Sequence, residues 1–463
     1  VLRARPSAGG AAESLPALHP DFNPGHIDDR PRASQSASGK AKHVAEVSAL
    51  FQNAAPGGRN SCTTTYRASP PDPPLPRSTC VKRLLRLLPL VAVFTSFAIT
   101  PARATGPDFA AEVRFLARVV ACDADVDSPE GAKLAADPII VAHCKALGAT
   151  MDTYRKEWLT PAAPFFRDLV PANVPKTVVY PFGGGDLMTA LAVFPNLTEI
   201  TSISLEAGGD PRGVLTLEAR QLERALRKHR EFMAELVRWN HNRTLDLAAL
   251  KSFPIPPQLG FALVGLAVHG FEPVGLRIIE LDAEGQVRDR DLDAASKGLG
   301  KGAINNRKRN DLAASYELRF RKKGETTIRI YRHFQANLAN SNLAADDRIL
   351  RHLKAKGRVS AMTKAASHLL WHTGFSTIRD YLKANIAWMV SDSTGINPMH
   401  LEPERWEQTV YGGFDTAIFN PTVAGQVAMR ELFASQPKRP LPFKLFGYPT
   451  RGLKGLVIVT KPR

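Results

Sequence analysis

The chain has 463 residues, with 61 Lys and Arg against 44 Asp and Glu, a formal net charge of +17 at pH 7. Residues 105–463, 359 of them, have the length of one large domain or two modest ones. Over that stretch 48 Lys and Arg stand against 38 Asp and Glu, a net charge of +10, which is basic but not extreme. It favours anionic partners weakly, with nucleic acid not the expected one, and bears on solubility and association, not on fold.

Residues 1–80 are rich in Pro, Ala, Ser, Gly and Arg, and their apolar residues show no period. Such a segment cannot bury enough surface to offset its ordering entropy. It is expected to be disordered, or to be upstream sequence with the natural start at Val81. Residues 81–104, VKRLLRLLPLVAVFTSFAITPARA, have a basic start, an apolar stretch from Leu87 to Ile99, and small residues at Ala102 and Ala104. This is the layout of a signal peptide cleaved after Ala104, which predicts a periplasmic or secreted protein. An uncleaved anchor is the alternative, although the apolar stretch is shorter than the roughly 20 residues of a membrane span. No Cys follows at once to carry a lipid.

Residues 105–175 are predicted to be a helical segment followed by a proline-rich linker. DFAAEVRFLARVVACDAD puts Phe109, Val113, Leu116, Val119 and Val120 on one helical face, and PIIVAHCKALGATMDTYRKEWL continues the pattern. Between them, DADVDSPEG alternates its acids but lacks the EF-hand spacing, so a solvated loop is expected. Cys122 and Cys144 are read as one disulfide in an oxidising compartment, worth roughly 3 kcal/mol. Two free buried thiols are the other reading. With only His143 beside them, zinc is disfavoured. Pro161, Pro164, Pro171 and Pro175 then predict a linker or extended cover.

From residue 176 the pattern becomes strand, helix, strand, helix, which predicts parallel βαβ units. KTVVYPF and EITSISLE read as strands, and DLMTALAVFP as a short helix with Asp186 near its N-cap. Residues 214–239 read as a long amphipathic helix with Leu215, Ala219, Leu222, Leu226, Met233 and Val237 inward. PPQLGFALVGLAVHG is predicted helical, VGLRIIELDAEG a strand, and ASYELRFRKKGETTIRIYRHF a hairpin. RILRHLKAKG and VSAMTKAASHLLWHTGFSTIRDYLKANI are predicted helical, AWMVSDSTG a strand, and LPFKLFGY with GLVIVTKP a final antiparallel pair. The expected fold class is α/β, a Rossmann-like mixed sheet over 176–463 with antiparallel additions, preceded by the small helical segment.

Gly183, Gly184, Gly185 and Asp186, with Glu206 after the next strand, form the first candidate site. Glycines let backbone N–H groups approach a ligand, and an acid at that distance can accept from ribose hydroxyls. The alternative is a tight strand-to-helix turn. Residues 176–210 resemble the Rossmann-like S-adenosylmethionine-dependent methyltransferases, which implies a transferase-like enzyme using this turn. This stretch departs from that family's pattern: its glycines are contiguous, not spaced G-x-G-x-x-G or G-x-G-x-G, and Pro181 interrupts the strand end. More broadly, VVYPFGGGDLMTALAVFPN, SLEAGGDP, VSDSTGI and PLPFKLFGY resemble segments of an uncharacterised family of exported bacterial proteins with a Tyr-Pro-Phe-x-Gly-x-Asp turn. That resemblance implies export and a single α/β domain, brings no reaction with it, and names no cofactor.

Three further features are candidates. His368 and His372 share a face if helical, the spacing of paired ligands in a metal-dependent hydrolase, but lack the intervening Glu and a third ligand. Asp392 and Ser393, at a strand's carboxyl end, could face Asp186 and Glu206 across one crevice and do acid–base work. Residues 297–323 hold a basic loop with Arg319, Arg321, Lys322 and Lys323 nearby, suited to an anionic surface but without interleaved aromatics for base stacking. The leading expectation is a ligand-binding or accessory protein. No G-x-S-x-G elbow points to an α/β-hydrolase.

Overall fold

The computed structural model describes residues 108–123, 129–241, 254–297, 305–418, 422–450, 452 and 455–463. The expectations for 1–80 and for the signal peptide at 81–104 lie outside these residues, as do 124–128 of the acidic loop. No helix among the described residues is long and apolar enough to cross a membrane.

The fold is mixed α/β, built on one ten-stranded sheet. Its strands are β1 (Thr177–Pro181), β2 (Glu199–Ser204), β3 (Phe271–Leu281), β4 (Val287–Asp289) and β5 (Ser315–Lys322). They continue with β6 (Arg329–Gln335), β7 (Val359–Thr363), β8 (Ile386–Ser391), β9 (Trp406–Gly412) and β10 (Leu456–Pro462). The spatial order is β4-β3-β5-β6-β2-β1-β7-β8-β10-β9. The run β6-β2-β1-β7-β8 is parallel. Antiparallel strands extend it on both sides. Chain succession among the parallel strands is 3-2-1-4-5 across the sheet, so the order reverses at β1.

Both faces of the parallel strands are covered. Along β1, Val178 and Tyr180 point into one apolar cluster and Val179 into the other. This is why the strand reads as continuous apolar sequence. The first face packs α1 (Ala110–Val120), α2 (Pro138–Tyr154), α3 (Thr160–Leu169), α4 (Leu187–Val193), α5 (Ala219–Trp239) and α6 (Pro257–Val268). The opposite face packs α8 (Asn340–Ala345), α9 (Arg348–Ala355) and α10 (Ser376–Asn385); α7 spans Asn306–Leu312. The leading helices therefore share their core with the sheet: Val113, Leu116 and Leu147 belong to the same cluster as Val178 and Ile200. Asp137 caps α2 by accepting from the N–H groups of Ile139 and Ile140. Cys122 and Cys144 are disulfide-bonded, tying the end of α1 to α2.

Four expectations are corrected. The proline-rich stretch is not all linker: α3 runs through it, with Pro161 in the first turn, where a missing N–H costs little, and Pro164 inside. VSAMT is the strand β7, not helix, because it pairs in parallel with β1 and β8 in the centre of the sheet. LPFKLFGY forms no strand; β10 pairs with β8 and β9 instead. The inner face of α5 is rotated: Ala225, Leu226, His229, Phe232, Met233 and Leu236 are buried, while Ala219 is exposed and Leu215 lies outside the helix, 47% exposed.

Candidate functional site

The turn after β1 is tight. Phe182 has φ 60 and Gly184 φ 52. A Cβ at Gly183 would fall 2.6 Å from Ser202 Oγ and 2.7 Å from the Tyr180 ring, so the backbone lies directly against β2. Asp186 ends the turn and caps α4, accepting from the Thr189 N–H at 3.2 Å. The turn sits at the carboxyl ends of β1, β2 and β7, where the strand order reverses.

A cleft opens there, about 590 Å3 including its mouth. Gly183, Gly184, Gly185, Asp186 and Glu206 all line it, together with Tyr180, His241 and Lys364. Glu206 lies two residues past β2 and is buried, and its backbone carbonyl is bonded to His333 Nε2 at 2.9 Å.

Lys364, the residue that follows β7, was not among the sequence candidates. It is 1% exposed. Its Nζ lies 2.6 Å from Asp186 Oδ2 and donates to Thr189 Oγ1 at 3.0 Å and Asn240 Oδ1 at 2.8 Å. Tyr180 Oη also donates to Asp186 Oδ2, at 3.1 Å. Burial first, and then the Asp186 carboxylate, push the Tyr180 phenol well above its usual range, so it stays a proton donor. The sequence signal for Lys364 was the short VSAMT stretch before it, which is of strand length and has a β-branched residue at each end.

Asp392 and Ser393 lie behind the cleft wall rather than on it. Asp392 is fully buried. It accepts from the N–H groups of Ala365 (2.9 Å), Thr394 (2.8 Å) and Tyr448 (2.7 Å) and from Thr394 Oγ1 (2.5 Å). Burial pushes its pKa up, and these donors oppose the rise. Ser393 Oγ donates to the Tyr448 carbonyl at 3.1 Å. The two side chains thus fasten the Gly447–Tyr448 segment beneath the site. Gly447 also donates to Asn240 Oδ1, the acceptor used by Lys364.

His368 lies in a 3-10 helix, Ala365–Trp371, and His372 is its C-cap. With three residues per turn, positions four apart do not stack on one face. The ring centroids are 6.4 Å apart and nearly perpendicular. Burial lowers the His368 pKa to about 4. Among the described residues, no group of three His, Cys, Asp or Glu side chains could hold a metal ion.

Four cations of the basic stretch lie in ion pairs. Arg319 pairs with Asp108, Arg321 with Glu272, Lys322 with Glu325 and Lys323 with Asp123. Residues 298–304 of the expected loop lie outside the described residues, and 306–312 form α7 rather than loop. No protein-family model, curated protein or solved structure matches the chain.

Proposed function

We propose that the chain is an exported ligand-binding protein with a Rossmann-like core, whose ligand is a small molecule bearing vicinal hydroxyls, such as a nucleoside. One observation carries this reading: the glycine turn and Glu206 line a single cleft at the point where the strand order reverses. Open α/β sheets bind ligands at that position. A carboxylate at the end of β2 accepts two hydroxyl hydrogen bonds, while the turn allows close backbone approach. Lys364 and Asp186 keep the turn in place from below. Export rests on the basic, apolar and small-residue layout of 81–104.

Calorimetric titration with adenosine, guanosine and S-adenosylmethionine tests the reading. Saturable heat from at least one of them is expected; none at millimolar ligand, with the protein folded by circular dichroism, would remove it.

The strand order 3-2-1-4-5 favours a second reading, a transferase of the methyltransferase type. It requires S-adenosylmethionine to bind more tightly than adenosine. Equal affinity would leave the nucleoside-binding reading and exclude the transferase.

A further inference from the structure

A second cavity, of about 630 Å3, lies at the opposite edge of the sheet, by the amino-terminal ends of β1 and β2. It forms where the proline-rich stretch after α3 runs past the loop that follows α4. Its walls are apolar: Val170, Val174, Phe194 and Leu197 contribute, and the last two are buried. Two lining residues are charged, and both are cations, Arg167 and Lys176. No carboxylate lines the cavity among the described residues.

Neither cation is committed to the fold. Arg167 meets Asp168 at 3.4 Å, with side chains 70% and 76% exposed, a pair worth little in water. Lys176 has no ion-pair partner among the described residues. An apolar cavity of small-molecule size with a cationic rim, one cation of which has only a solvent-exposed partner, is complementary to an amphipathic anion.

We propose that this cavity binds a medium-chain carboxylic acid, its tail against the valines and Phe194 and its carboxylate at the rim with Lys176 and Arg167. The site shares no lining residue with the glycine-turn cleft, so it stands or falls separately from the reading above.

The test uses the full chain and sodium decanoate below its micelle concentration, followed by calorimetry. Methyl decanoate and decyltrimethylammonium serve as uncharged and cationic chains of the same length. Decanoate is expected to bind about ten-fold more tightly than either, and the Arg167→Ala/Lys176→Ala variant to lose about that factor. Val174→Trp, which fills the cavity, should abolish binding. Equal affinity for all three chains would overturn the proposal, as would no binding by natively folded protein or full binding to a folded Val174→Trp variant. If that variant does not fold, the ligand series and the double alanine variant, whose changes lie at exposed positions, still decide.

Discussion

Lys364 and Asp186 form an ion pair, Nζ to Oδ2 at 2.6 Å, with side chains 1% and 8% exposed. It joins the end of β7 to the turn after β1 and lies in the floor of the cleft. Removing one partner strands the other charge in the interior. Lys364→Met and Asp186→Asn should each cost about 3–5 kcal/mol, although Asn keeps the helix cap. The double variant should cost less than the sum, with a coupling of about 1–3 kcal/mol in urea denaturation. Strict additivity would mean that the pair does not act as a unit.

Glu206→Gln keeps shape but removes the charge that strengthens hydrogen bonds from ligand hydroxyls. Nucleoside affinity should fall about ten-fold, since charged hydrogen bonds are worth about 1.5–3 kcal/mol. The 2′-deoxy analogue supplies a cross-check. It should lose affinity for the native protein and lose little for the variant; equal losses would detach Glu206 from the hydroxyls.

Gly447 has φ 72, and a Cβ there would lie 2.1 Å from Asp392 Oδ2 and 2.4 Å from Lys364 Cγ. Gly447→Ala therefore meets both backbone strain and a buried carboxylate. A loss of about 2–4 kcal/mol is expected by thermal or urea unfolding. Gly374, which has no atom within 4 Å of an added Cβ, is the control. Similar losses at both sites would contradict this account.

Several buried histidines make the fold acid-sensitive. Burial is the leading cause that lowers His143, His333 and His368 to about 4 and His229 to about 3. The ordinary value is about 6.5, so the unfolded chain takes up these protons first. Their contribution is complete above pH ~6.5 and is lost as pH falls toward the folded values. Each should cost roughly 2 kcal/mol at pH 5. Asp392, raised by burial, works in the opposite direction and stabilises as pH falls. Urea midpoints should drop from pH 7 to pH 5, and His333→Gln should flatten the slope; a flat native profile down to pH 4.5 would falsify the assignment.

The Cys122–Cys144 bridge spans a separation of 22 residues. Closing a loop of that size stabilises by about 3 kcal/mol in the chain-entropy description. The Cys122→Ser/Cys144→Ser variant should lose that amount relative to the oxidised protein, and reductant should reproduce the loss. No difference between oxidised and reduced protein would place the stabilisation of α1 and α2 entirely in their apolar packing.

Local pattern alone determined much of the α/β frame. The apolar run before Gly183, the capping Asp186, the β-branched residues of β2 and the hairpin of β5 and β6 are all short-range signals carried by the residues themselves, although β2 is buried on both faces and does not alternate. So was the placement of Glu206 just past β2. Tertiary structure decided the rest, because it turned on which strands become neighbours. VSAMT has the composition of either helix or strand, and only its insertion between β1 and β8 makes it β7 and sets Lys364 beneath the cleft. Asp392 was rightly placed at a strand's end, yet a partner 56 residues away, the Tyr448 N–H, helps hold its carboxylate behind the cleft wall. Side-chain types and periods are written along the chain; burial and pairing across it depend on contacts distant in sequence, which no local window contains.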